Sequence, residues 1–144
     1  EDEERARAVV LDICKKERFF HRVREAYGFH CSMCSVERDA TEVALITPMQ
    51  RDEVLEIRDA LALCRDHFLL FERRRIFVSP MDRSISVDRR ALRVEDAAEV
   101  RREAFLHTRK QLAAPRDPRD AAGPEQLMKR QRLYASAYAW TDSS

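Results

Sequence analysis

Glycine is nearly missing from this chain: two residues, Gly28 and Gly123, among 144. Tryptophan occurs once, and aromatics make up 8%. No apolar run approaches the roughly 20 residues that a membrane-spanning helix needs. No segment repeats, which excludes a stacked-repeat array, and no low-complexity tract is present. The opening "EDEERARAVV" is acidic and then amphipathic, so it does not read as a signal peptide. The expectation is a cytoplasmic protein with no membrane partner. At 44% hydrophobic and 37% charged, the chain has material for one modest core.

An excess of one charge is lacking too: the net charge is only +1. Its distribution is uneven, however. Residues 101–132 carry nine bases (Arg101, Arg102, Arg109, Lys110, Arg116, Arg119, Lys129, Arg130, Arg132) against four acids. The C-terminal third therefore offers a candidate basic face for phosphates. An ordinary solvated, arginine-rich surface explains the same composition.

Hydrophobic spacing predicts a helix over 3–27, with Val9, Val10, Ile13, Cys14, Phe20, Val23 and Tyr27 recurring at helical intervals and Gly28 at its C-terminal stop. "TEVALIT" (41–47) reads as a strand ended by Pro48. A helix is predicted from near 58–63 to about Phe71, with Leu61, Cys64, Phe68 and Phe71 close to one face. "RIFVSP" and "SISVD", separated by "PMDR", read as a hairpin. Residues 95–113 and 124–140 have helical patterns. "AAPRDPRDAAGP" (113–124) reads as a linker or long surface loop. The organisation expected is one domain over 1–144: an N-terminal helix (1–28), a central core (29–92) and a basic helical extension (93–144).

There are four cysteines. Cys31 and Cys34 form a CxxC, and Cys64 and His67 form a CxxH after 29 intervening residues. Two thiolates in one tight turn, and a second pair one helical turn apart, can converge on a tetrahedral Zn²⁺. In a reducing compartment such spacing favours metal over disulfide. Binding free energy at such a site becomes folding free energy. Cys14 is left over and is expected as a small buried hydrophobe on the first helix.

Five segments in order carry a family resemblance: "FFHRVREAYGFHC" (19–31), "TEVALITP" (41–48), "DALALCRDHFLLFERRRIFVS" (59–79), "ISVDRRAL" (85–92) and "PEQLMKRQRLY" (124–134). Together they resemble the HNH endonucleases, the ββα-metal or treble-clef zinc nucleases, over roughly residues 15–135. The resemblance implies an α+β fold, a treble-clef zinc module with flanking N- and C-terminal helices. It implies structural Zn²⁺ on Cys31, Cys34, Cys64 and His67. It also exposes losses. The family's general-base histidine is Leu45 here, its supporting asparagine is Asp59, and its second metal-binding histidine is Phe68.

Leucine accepts no proton, and phenylalanine binds no metal ion. Losing a general base typically costs about 10²–10⁴ in rate, and losing the Lewis acid costs more. The expectation is a degenerate nuclease with no catalytic residues that still binds DNA. The candidate phosphate contacts are Arg65, Arg73, Arg74, Arg75, Arg109, Lys110, Lys129, Arg130 and Arg132. Two alternatives stand beside it. One is an active, noncanonical nuclease rebuilt around Asp59, whose carboxylate suits Mg²⁺. The other is a zinc-stabilised regulatory domain that acts as a homodimer or through a protein partner. Asp66, Glu72, His21, His30 and His107 read as surface or loop residues.

Overall fold

The computed structural model describes residues 2–38, 40–50, 53–90 and 106–143. Its architecture is mixed α+β. Helix α1, Asp2–Ala26, begins with Asp2, Glu3 and Glu4, whose charges suit the positive end of the helix dipole. It ends where the backbone turns left-handed at Gly28 (φ 64°). The Phe29 amide reaches back to the Arg24 carbonyl and the Gly28 amide to Glu25, which satisfies the last free carbonyls. Phe19, Val23 and Tyr27 point from α1 into the core. Cys14, expected to be buried, is exposed on this helix. The side chains of Val9, Val10 and Ile13 lie outside those described.

Strand β1, Glu42–Leu45, pairs antiparallel with β2, Ala60–Leu63, in the register Glu42↔Leu63 through Leu45↔Ala60. The strand expected over 41–47 is therefore present but shorter. The helix expected from near 58–63 to about Phe71 is present but starts later. Ala60–Leu63 is a fully buried strand, preceded by a short 3₁₀ turn, Ile57–Asp59. Helix α2, Arg65–Glu72, starts only after Cys64. Both α1 and α2 pack against the hairpin, which explains why β2 has no polar alternation.

Helix α2 ends with the same hydrogen-bond pattern as α1: the Arg75 amide bonds the Leu70 carbonyl and the Arg74 amide bonds Phe71. Here a left-handed arginine, Arg74 (φ 57°), stands where α1 has glycine. Strands β3, Ile76–Val78, and β4, Ile85–Val87, form the expected second hairpin. Of the helix expected over 95–113, residues 95–105 lie outside the described residues. Residues 107–113 are extended and bridge Cys34 through Thr108 and Ser84 through Gln111.

The 113–124 segment is a docked loop, not a free linker. The Arg116 amide bonds the Ala26 carbonyl, and Ala122 is buried. Helix α3, Pro124–Leu133, begins at a proline whose missing N–H costs nothing in the first turn. The chain then turns at Tyr134 and closes in a 3₁₀ segment, Ala139–Ser143, so the helix expected to run to 140 is shorter. No described helix is long and apolar enough to cross a membrane.

Candidate metal centre

The turn after α1 carries Cys31 and Cys34. It is pinned to the centre of β2, because both the amide and the hydroxyl of Ser32 bond the Ala62 carbonyl. Strand β2 runs directly into Cys64, the residue that caps the N-terminus of α2. His67 follows one turn later. Its ring then lies on the same side as Cys64, because residues three apart share a helix face. Two pairs distant in sequence are thus brought together by one hydrogen-bonded turn and one strand.

All four ligand atoms lie within 4.8 Å of one another, and all four residues are buried. His67 Nδ1 is 3.2 Å from Cys34 Sγ, 3.2 Å from Cys64 Sγ and 3.6 Å from Cys31 Sγ. Cys34 and Cys64 sulfurs are 3.6 Å apart. A tetrahedral ion with standard bond lengths would set sulfur–sulfur edges near ~3.8 Å and sulfur–nitrogen edges near ~3.6 Å. The pocket is therefore already close to the size that an ion needs. None of the three cysteines is in a disulfide. The four residues can hold a metal ion.

The three thiols are shifted in opposite directions. Hydrogen bonding to Cys34 and Cys64, and burial, push the Cys31 thiol up. The hydrogen bonds that Cys34 receives, from Cys31 first and Cys64 next, pull it down to about 3, with Arg38 assisting. Cys64 is also lowered, chiefly by Cys31, and its place at a helix N-terminus favours a thiolate as well.

Two neighbours complete the surroundings. Thr108 Oγ1 sits 2.8 Å from His67 Nε2, the ring nitrogen facing away from the sulfurs. Arg38, four residues past Cys34, has its guanidinium near that thiol, and this neighbour raises its own pKa. Neither was singled out from sequence. A base just past a CxxC turn is a usable signal for Arg38. Thr108 has none, because only the folded chain carries it to His67.

The family-equivalent positions have different surroundings. Leu45 and Phe68 are half-buried and packed on the core. Asp59 spends both carboxylate oxygens internally: Oδ2 accepts the Glu56 amide at 2.7 Å, and Oδ1 accepts the Gln126 side chain at 2.9 Å.

The candidate phosphate contacts divide. Arg130 is buried, at 6% exposure, and is not available to a phosphate. Its guanidinium lies 3.6 Å over the Phe71 ring. It donates to the Ile46 and Phe71 carbonyls and to the Tyr138 hydroxyl. Arg75 pairs with buried Asp88 at 2.8 Å. Arg74 stacks on Tyr134, 4.0 Å from the ring centre. Arg73 is half-buried at the end of α2. Arg65 is exposed and pairs with Glu42 at 3.1 Å. Arg109, Lys110, Lys129 and Arg132 are exposed.

A separate groove of about 560 Å³ runs past Arg22, Leu55, Arg58 and Arg119. Arg58 and Arg119 there pair with Glu56 and Asp117, so the groove's charge is largely spent internally. Comparison of the chain with protein-family models, with characterised proteins and with solved structures gives no match.

Proposed function

We propose that this chain is an HNH-type ββα domain of the treble-clef kind, centred on structural Zn²⁺, that does not cut nucleic acid and contacts DNA through exposed bases. The observation that carries the reading is the order of parts around the cluster: a CxxC turn, an antiparallel hairpin, then a helix that opens on the CxxH pair. Three cysteine sulfurs and one imidazole gathered within 4.8 Å suit Zn²⁺ above hard, oxygen-seeking ions. A bound ion there would supply folding free energy, with no open position left for a reacting water.

The absence of cutting is supported by the surroundings of Leu45, Asp59 and Phe68. The first and last are apolar and packed. The carboxylate of Asp59 already accepts two hydrogen bonds that tie the β1–β2 loop to itself and to α3. A metal ion at Asp59 would have to displace one of them. DNA contact rests on Arg109, Lys110, Lys129 and Arg132, with Arg65 at the start of α2.

Two assays test the reading. In plasmid nicking with Mg²⁺ and then Mn²⁺, the zinc-loaded protein leaves the substrate intact. Nicking that Asp59→Ala abolishes would overturn the inactive reading. In a DNA shift assay over a salt series, affinity falls steeply with salt. Replacing Arg109 and Lys110 with alanine lowers the log–log slope by about 2, since each phosphate contact contributes roughly 0.9.

A second reading, a zinc-stabilised protein-interaction domain, is favoured by the internal use of Arg74, Arg75 and Arg130. Exposed Met81 (92%), Val54 (86%) and Leu106 (80%) point the same way. It predicts no salt-dependent DNA shift at all.

A further inference from the structure

Residues 107–113 cross between two parts of the molecule and bond to both. Toward the cysteine turn, the Ser35 amide bonds the His107 carbonyl at 2.7 Å, the Arg109 amide bonds Met33 at 2.8 Å and the Ala113 amide bonds Ser32 at 2.9 Å. Toward the second hairpin, the Ile85 amide bonds the Lys110 carbonyl at 2.7 Å and the Leu112 amide bonds Arg83 at 3.1 Å. The Gln111 side chain adds a bond to the Asp82 carbonyl at 3.2 Å. The segment is in effect a middle strand, with alternate peptide groups serving opposite sides. A two-stranded hairpin is marginal by itself, so β3–β4 gains from this third partner.

Thr108 lies in the half of the segment that faces the cysteines. For His67 Nδ1 to offer a lone pair among the sulfurs, its ring proton must sit on Nε2. That N–H then donates to Thr108 Oγ1, 2.8 Å away. Bonds of this kind fix the tautomer and the ring angle of ligating histidines.

We infer that residues 107–113 form a metal-dependent strap, in which Thr108 positions His67 for the ion and the ion's ordering of the cysteine turn is passed through the strap to β3–β4. The inference rests on the cluster being a metal site. It adds a positioning residue outside the four ligands, and it adds a route by which metal occupancy changes a remote surface. Among the described residues, the strap's backbone bonds to the cysteine turn run through Ser32, Met33 and Ser35, so a loosened turn frees that side of the strap first.

The test uses the full chain with Zn²⁺ or Co²⁺ alone. Metal affinity is measured by chelator competition, and Co²⁺ absorption reports the ligand geometry. Thr108→Val weakens affinity by about tenfold or more, and Thr108→Ser restores it. In amide hydrogen exchange on the wild-type chain, chelation speeds Ser35, Arg109, Ala113, Ile85 and Leu112 together. The amides of Leu127 and Tyr134, in and at the end of α3, speed up far less.

Wild-type protein that binds neither ion overturns the metal reading and the strap with it. Wild-type binding with unchanged affinity in Thr108→Val overturns the strap alone. So does exchange in which the strap amides stay slow without metal, or in which every amide of the chain speeds up equally. The exchange experiment needs no variant, so it decides even if Thr108→Val misfolds.

Discussion

The core buries two polar centres with opposite needs. At one, Cys31, Cys34, Cys64 and His67 gather donor atoms within 4.8 Å and lack a cation of their own. At the other, Arg130 is itself the cation, and its acceptors among the described residues are neutral: the Ile46 and Phe71 carbonyls and the Tyr138 hydroxyl. Burial keeps that phenol protonated by raising its pKa, although the Arg130 charge pulls the other way. The first centre joins the turn after α1 to β2 and α2. The second joins α3 to the end of β1 and the end of α2. A buried charge is tolerated only when its hydrogen bonds are made. The guanidinium meets that demand with a planar fork spread over three acceptors and an aromatic face. The thiolates would meet it with an ion.

The two centres should therefore fail differently. The largest expected effect is at the cluster. Structural Zn²⁺ contributes on the order of 10 kcal/mol in small metal domains, comparable with the whole stability of a typical domain. Cys64→Ser, or chelation of the wild-type protein, is expected to lower stability by about 5 kcal/mol or more. Thermal unfolding followed by circular dichroism checks this. A protein equally stable with and without metal would remove the cluster from its central place in the comparison.

Arg130→Met comes next. The apolar chain keeps much of the contact with Phe71 but takes the guanidinium donors from the Ile46 carbonyl and the Tyr138 hydroxyl, and leaves the Phe71 carbonyl with the Arg74 amide. The expected loss is about 3 kcal/mol, read from the denaturant midpoint with Trp140, the chain's single tryptophan, as reporter. Arg130→Lys should fall between wild type and Met, because an ammonium replaces some bonds but not the stack. A Met variant as stable as wild type would mean that the guanidinium is tolerated there and contributes nothing.

The candidate metal centre was far more legible in the sequence than the arginine centre, for a physical reason. Ligation demands particular residue types at short spacings, and CxxC and CxxH carry that demand locally. The two carbonyl acceptors of Arg130 lie 84 and 59 residues away. Nothing near Lys129 and Arg132 distinguishes a buried arginine from a solvated one, so it was read as a phosphate contact. "ALAL" at 60–63 reads as the start of a helix because Leu61 falls close to one face with Cys64, Phe68 and Phe71, whereas its strand state comes from pairing with β1. The strap failed the same way: the extended form of 107–113 depends on partners at 32–35 and 83–85. The β3–β4 hairpin and the end of α1 were legible because turn residues and Gly28 mark them on the spot.

The finest separation of the two centres is a matched pair of single hydrogen-bond deletions. Thr108→Val removes the 2.8 Å partner of His67, and Tyr138→Phe removes the 2.7 Å partner of Arg130 Nε. The phenylalanine keeps the ring where it meets Phe77, 5.3 Å between centroids, and Trp140, at 6.4 Å. A bond to a charged group is worth about 2 kcal/mol, so Tyr138→Phe should shift the denaturant midpoint by about that much. It should leave metal affinity as it was, because none of the acceptors of Arg130 belongs to the cluster. Thr108→Val should do the reverse in emphasis, moving metal affinity most and metal-free stability little. If Tyr138→Phe weakened metal binding as much as Thr108→Val, the two centres would be one cooperative unit, coupled through α2, which carries both His67 and Phe71.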